Sequence, residues 1–214
     1  MELPVADAYT TKNLPTTIPS AVSIGDGGGV VQAANGFYYF GSLQSGCIYK
    51  ESSAADWETY VYCIPSWGAG GDNAATYSLA EDNSGHVYAI YQGTTDNNTI
   101  ILRVTPNGTS TDTVEALQLT AYARSVALAV SADGSRLWAD GVSMTQYESS
   151  NANAILQIAN PVWGSPVAPT PTKATATTLP GSAAEIWLMG MTYDQANNTL
   201  IIADNSGGFY LDFL

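Results

Sequence analysis

Asn73, Arg124 and Glu185 each stand nine residues before an aspartate in a turn-like stretch, Asp82, Asp133 and Asp194 respectively. If the three stretches are copies of one structural unit, equal offsets place these polar side chains at equal heights around a shared axis. Asp26 lies one or two positions off that register, and Asp72 adjoins Asn73. Oxygen ligands gathered in this way suit a hard, calcium-like divalent cation, with Asp26, Asn73 and Glu185 as candidate metal ligands. A cation, or Arg124 together with Glu185 and Asp72, would polarise a carbonyl, which makes these three the candidate catalytic residues. The competing role is strand-end capping, with Arg124 and Glu185 as an ion pair.

Trp67, Asn73, Tyr122, Tyr147 and Trp187 are the candidate ligand-binding residues, and Trp163 is expected on the same side. Aromatic rings with a polar tip suit small organic molecules and sugars alike. Packing between sheets is their other use, and at least two of the five aromatic residues are expected in the core. Other chemistry has little support. The single histidine, His86, is expected at an exposed or edge position, and no G-x-S-x-G elbow accompanies it. No His/Cys cluster suits zinc, and IGDGGG (24–29) lacks the strand–turn–helix setting of a dinucleotide site.

The elements that must position these residues are written as a repeat. NGFYYFGS (35–42), GHVYAIYQ (85–92), GSRLWADG (134–141) and NTLIIADN (198–205) each read as a turn followed by a β-run. Turn residues near 36, 85, 134 and 198 give two intervals of 49 residues and one longer interval. A period of this size in a strand-rich chain predicts propeller blades, each a four-stranded antiparallel sheet. Inner strands are predicted at 29–33, 75–81, 126–131 and 188–193, and third strands at 47–51, 99–105, 154–159 and 208–213. Outer strands are predicted at 58–63, 113–119 and 172–180. The fourth unit lacks one, and DAYTTKNLP (7–15) resembles TKATATTLP (172–180). The fold expected is therefore a single all-β domain over 1–214, a four-bladed β-propeller closed by its N-terminal strand pairing with its C-terminal strand; a piece of a six-bladed ring is the alternative. Loops 16–28, 64–74, 120–125 and 181–187 share one face with 41–46, 92–98, 141–153 and 204–207, and the site is expected there.

Charged residues make up only 12% of the chain, so Thr, Ser, Asn and Gly must build much of the surface. A net charge of −13 with six Lys and Arg argues against nucleic acid and anionic membranes as partners. No apolar run approaches the roughly 20 residues of a membrane-spanning helix. Cys47 and Cys63 are symmetric about residue 55, as expected for opposed positions of a hairpin, where a disulfide fits. Two buried free thiols are the alternative. A bridge implies an oxidising compartment, and Asn97, Asn107 and Asn197 each begin an N-x-Thr acceptor pattern. Secretion is the expectation, with Met1 standing in place of a removed leader, and an intracellular location is the alternative. A monomer or weak homo-oligomer is expected.

SLAEDNSGHVYAIY (78–91), ALAVSADGSRLWAD (127–140) and MTYDQANNTLIIAD (191–204) carry a resemblance to SMP-30/gluconolactonase-like and NHL-like propellers. The resemblance implies a divalent cation in the central channel, held by Glu, Asn and Asp, and lactone opening; Glu185, Asn73, Asp72 and Asp26 are the matching residue types. The family's opening Glu-Gly-Pro stretch is absent. Fungal secondary-metabolite propellers of the hetero-Diels–Alderase type are similar in composition and would use the channel for cyclisation without a metal. The function expected is thus a small-molecule-binding propeller with one central site, an enzyme of lactonase or cyclase type. A glycan-binding or adhesive module without catalysis is the alternative, and a structural or virion protein the third reading. A lectin built from repeats should place one aromatic in every copy, whereas equivalent positions here hold Asn, Arg and Glu.

Overall fold

The computed structural model describes residues 27–42, 47–51, 61–63, 75–92, 98–107, 111–123, 127–143, 153–178, 188–204 and 209–213. Every regular element among them is a strand. The first repeat holds β1 (Gly27–Gln32), β2 (Tyr38–Ser42), β3 (Cys47–Glu51) and β4 (Tyr62–Cys63) in an antiparallel sheet of that order. The second holds β5 (Ala75–Glu81), β6 (Val87–Gln92), β7 (Asn98–Thr105) and β8 (Thr113–Ala123). The third holds β9 (Leu128–Val130), β10 (Arg136–Ser143), β11 (Asn153–Ala159), β12 (Thr170–Thr172) and β13 (Thr175–Thr178). The fourth holds β14 (Leu188–Asp194), β15 (Thr199–Asp204) and β16 (Phe209–Phe213).

The repeat is anchored in four turns. Gly36, Gly85 and Gly134 have φ of 86°, 82° and 69°, and Asn198 takes the same place with φ 50°. Each donates its N–H to the carbonyl three residues earlier, on Ala33, Asp82, Ser131 and Gln195. Left-handed backbone is open to Gly without a Cβ penalty and to Asn at modest cost, which is why these residue types recur.

Both faces of the second and third repeats are apolar, and each face is buried against a neighbour. Tyr39, Ile48, Val87, Ala89 and Leu102 pack the first repeat against the second. Tyr88, Ile90, Leu117, Leu128, Leu137 and Ile158 join the second to the third. Trp138, Ile155, Leu200 and Ile202 join the third to the fourth, where Trp138 stacks on Tyr193 at 4.5 Å between centroids. Alternation along β6 and β10 sends successive side chains to opposite neighbours. Each fully buried Leu or Ile contributes about 1.5–3 kcal/mol.

The expected separation into four-stranded sheets fails between the second and third repeats, which share one nine-stranded sheet. Strand β8 is longer than predicted. After pairing with β7 it continues onto β10, Ala123 opposite Val142 and Tyr122 opposite Ser143. The predicted outer strand 172–180 is split as well: β12 lies parallel to β8, while β13 pairs with β11. Sequence patterning marks which residues extend but not which edge they find, and a neighbouring repeat offered the nearer edge. Of the predicted 58–63 strand, only Tyr62–Cys63 is a described strand. No strand pairing closes a ring among the described residues, and residues 7–15 lie outside them.

The turns differ in what surrounds them. A methyl at Gly36 meets nothing within 4 Å, whereas one at Gly134 would come within 2.7 Å of both Asp82 Oδ2 and the Tyr88 hydroxyl. Gly36→Ala should cost about 1–2 kcal/mol from backbone strain alone. Gly134→Ala should cost distinctly more, because it also disrupts a buried hydrogen bond; urea unfolding of the two variants makes the comparison.

Candidate functional site

At the end of the sheets that carries the tight turns, one buried and one half-buried polar cluster lie where neighbouring repeats meet. In β2–β3, Tyr39 stands opposite Lys50, and in β6–β7 Tyr88 stands opposite Arg103. Tyr39 and Tyr88 are 49 residues apart, so the tyrosine–cation pair is part of the repeat. In each case the segment leading to the next repeat's outer strand reaches back to satisfy it. Asp112 accepts from Lys50 Nζ at 3.1 Å, from the Tyr39 hydroxyl at 3.0 Å and from the Asn107 N–H at 2.9 Å. The side chains of Lys50 and Asp112 are each 2% exposed, and Lys50 Nζ also lies 4.5 Å from the centre of the Phe37 ring. One repeat later Arg103 bonds Glu115 through Nε and Nη2, and its guanidinium lies 4.8 Å from the centre of the Trp163 ring. Trp163 also packs on Tyr88, and Gly164 exchanges both backbone hydrogen bonds with Ala116.

Two expectations are corrected here. Trp163 belongs to this turn-bearing end, because it lies between β11 and β13; the strand order sends that connection away from the loop-bearing end. His86 is half-buried, not a free edge residue: its Nδ1 lies 2.8 Å from Asp82 Oδ2. The same carboxylate accepts the Tyr88 hydroxyl at 2.8 Å and the backbone N–H groups of Ser84 and His86. Burial, then the Asp82 carboxylate, pushes the Tyr88 phenol above its ordinary range. Asp82 is thereby spent on structure.

The three turn aspartates are also not equivalent. Measured from the left-handed residue of each turn, Asp82 lies three positions before Gly85, Asp133 one before Gly134 and Asp194 four before Asn198. Asp133 is exposed, and hydrogen bonds led by the Ser131 hydroxyl hold its carboxyl down at about 2. Asp194 is lowered chiefly by the Asn197 side-chain amide. Equal offsets from these aspartates therefore do not by themselves give equal heights, and irregular pairing in β1, β5 and β14 shifts the inner strands further.

At the loop-bearing end, the side chain of Asp140 replaces an ordinary ladder bond: its Oδ1 accepts the Ala127 N–H at 2.7 Å. Both ends of the connection 124–126 are thus held on β10, at Ala123–Val142 and at Ala127–Asp140. Asp140 is buried and was not among the residues singled out from the sequence. Of the candidate site, Asp26, Trp67, Asp72, Asn73, Arg124, Tyr147, Glu185 and Trp187 lie outside the described residues, and Tyr122 is placed only by its backbone in β8. Cys47 and Cys63 stand directly opposite one another in β3–β4. No three His, Cys, Asp or Glu side chains among the described residues could hold a metal ion together.

Known structures share this arrangement. Virginiamycin B lyase from Staphylococcus aureus superposes with a TM-score of 0.52 at 15% identity, over 88% of this chain and 55% of that one. XC5397, a gluconolactonase from Xanthomonas campestris, gives 0.50 at 11% over 87% and 61%, and YCF48 from Cyanidioschyzon merolae 0.53 at 10% over 87% and 50%. The fold is a β-propeller. The chain spans between half and two thirds of the length of these structures. No protein-family model matches it, and no curated protein matches it in sequence. At such identities the fold alone is shared.

The Lys50–Asp112 pair gives a direct test of how the first two blades are joined. Asp112→Ala should lower unfolding stability by about 3–5 kcal/mol, because it takes a buried carboxylate away from a buried ammonium. A loss below about 1 kcal/mol in chemical denaturation would show that the pair is solvated instead.

Proposed function

We propose that this propeller has one ligand site at the loop-bearing mouth of its central channel, and that it acts there on a small organic metabolite by lactone opening or cyclisation. The supporting observation is that β1, β5, β9 and β14 lie side by side in chain order. Their first described residues, Gly27, Ala75, Ala127 and Leu188, follow Asp26, Asn73, Arg124 and Glu185 by one, two, three and three positions. Arg124 would polarise a substrate carbonyl, with Glu185 and Asp72 handling the proton. Trp67, Tyr122, Tyr147 and Trp187 would enclose the apolar part of the ligand. A divalent ion in the channel would be held by Asp26, Asp72, Asn73 and Glu185. Similar structures named as a gluconolactonase and as a lyase support an enzyme-like reading.

Arg124→Ala and Glu185→Ala should each weaken binding of a lactone or polyene ligand at least about tenfold in calorimetric titration, with and without calcium, and leave the unfolding transition in place. Unchanged binding and turnover in both variants removes the assignment.

Ring closure is proposed to come from residues 7–15 adding as a fourth strand to the edge of β16. We also propose a Cys47–Cys63 disulfide, supported by their direct opposition, and with it secretion into an oxidising compartment. Without reductant the intact mass should fall two hydrogens short of the reduced chain, and Cys63→Ser should cost about 3 kcal/mol for a loop of this length. A fully reduced mass after aerobic purification discards the bridge.

A further inference from the structure

All four inner strands leave regular pairing at one height. In the first blade Val30 stands opposite Phe40 and Gly27 opposite Ser42, so one residue between Gly27 and Val30 is extra. In the second, Ser78 stands opposite Ile90 and Thr76 opposite Tyr91, which makes Tyr77 the extra residue. In the fourth, Gly190 stands opposite Ala203 and Leu188 opposite Asp204, and the extra residue is Met189. In the third the departure is made by a side chain, where Asp140 Oδ1 accepts the Ala127 N–H at 2.7 Å. The second-strand residues at these points are Gly41, Ile90, Asp140 and Ala203. Gly41, Ile90 and Ala203 each lie five residues beyond the left-handed residue of their turn. Asp140 lies six beyond Gly134, and its turn is one residue longer: the Ser131 N–H closes on the Arg136 carbonyl, whereas those of Ala33 and Asp82 close on Phe37 and His86. Where the first two blades adjoin, the irregular stretches touch, since a methyl on Gly29 would lie 2.8 Å from the Leu79 nitrogen and 3.4 Å from Ser78 Cα.

An extra residue in one strand of a pair bends that strand and interrupts its alternation. Side chains beyond it then belong to the faces opposite those that an uninterrupted strand would give them. What Tyr77 and Met189 decide is therefore the register of the chain that precedes them, coming from the loop-bearing end. Asn73 stands five residues before Ser78, and Glu185 five before Gly190, each with one extra residue between. The turn aspartates give no such common measure, because they occupy different places in their turns. Ala127, which Asp140 holds, follows Arg124 by three residues.

We propose that Tyr77 and Met189 are positioning residues of the channel site. Their presence as extra residues, independent of their side chains, brings Asn73 and Glu185 into one register at the mouth. Asp140 does the corresponding work for Arg124 by fixing Ala127. This inference rests on the channel reading of the site.

Deleting Tyr77 or Met189 removes no ladder pair. Thr76 and Ser78 already stand opposite consecutive residues of β6, and Leu188 and Gly190 opposite consecutive residues of β15. Each deletion should leave the unfolding transition in place and weaken binding in the lactone and polyene panel at least about tenfold by calorimetric titration. Tyr77→Phe and Met189→Leu, which keep the residue count, should bind within about twofold of the wild type. Should a deletion prevent folding, Asp140 gives the same test at constant length. Asp140→Ala releases the Ala127 N–H and should weaken binding, whereas Asp140→Asn keeps an acceptor and should restore it. Deletions and Asp140→Ala that leave binding intact overturn the positioning role, and so do Tyr77→Phe and Met189→Leu variants that bind as poorly as the deletions. If Arg124→Ala and Glu185→Ala weaken binding in that case, the channel site stands without it. A wild-type protein that binds nothing in the panel overturns both.

Discussion

A sheet that is apolar on both faces cannot stand alone, and this constraint organises the molecule. Leu137 and Trp138 are neighbours on one strand and both are fully buried, one toward the second blade and the other toward the fourth. Neither face has a solvent-compatible alternative, so the third blade is stable only between two others. The three cores follow from this. Repeat architectures in general derive their stability from such neighbour contacts.

Polar chemistry inside the arc obeys the same constraint. Lys50 and Arg103 sit on third strands where a segment of the next blade reaches each: Asp112 meets Lys50 with a carboxylate, and the Trp163 ring meets Arg103, whose carboxylate partner Glu115 is its ladder neighbour on β8 of the same blade. The change of partner explains the extra strand β12: the segment carrying Trp163 lies along β8 and adds to its ladder. A buried ion pair adds little net stability, yet it strongly penalises a missing partner. The Lys50–Asp112 pair therefore favours the correct neighbour more than it strengthens the fold. Asp82 illustrates a related economy, since one carboxylate satisfies two backbone donors, a phenol and an imidazole.

Function, in this reading, is segregated from that structural chemistry. The turn-bearing end uses its aspartates, its histidine and Trp163 to hold turns and blades together. The loop-bearing end supplies anchors, of which Asp140 on Ala127 is the clearest, and leaves long connections between them. Such a division suits a rigid scaffold that presents variable loops. It also explains why proteins with different names share the fold at identities of 10–15%.

The sequence by itself determined the strands and their repeat. Every predicted inner, second and third strand has a described counterpart, because Gly36, Gly85, Gly134 and Asn198 mark positions that backbone sterics reserve for few residue types. The opposition of Cys47 and Cys63 was legible for a similar reason, since hairpin register is local. The Tyr39–Lys50 and Tyr88–Arg103 pairs were visible in principle as a repeated spacing. Only tertiary structure decided that Asp112 lies on Lys50, that His86 is held by Asp82, that Trp163 belongs to the turn-bearing end and that β8 joins two blades into one sheet. Those contacts depend on which blade edge or face comes nearest in space, a distance that a one-dimensional pattern does not encode.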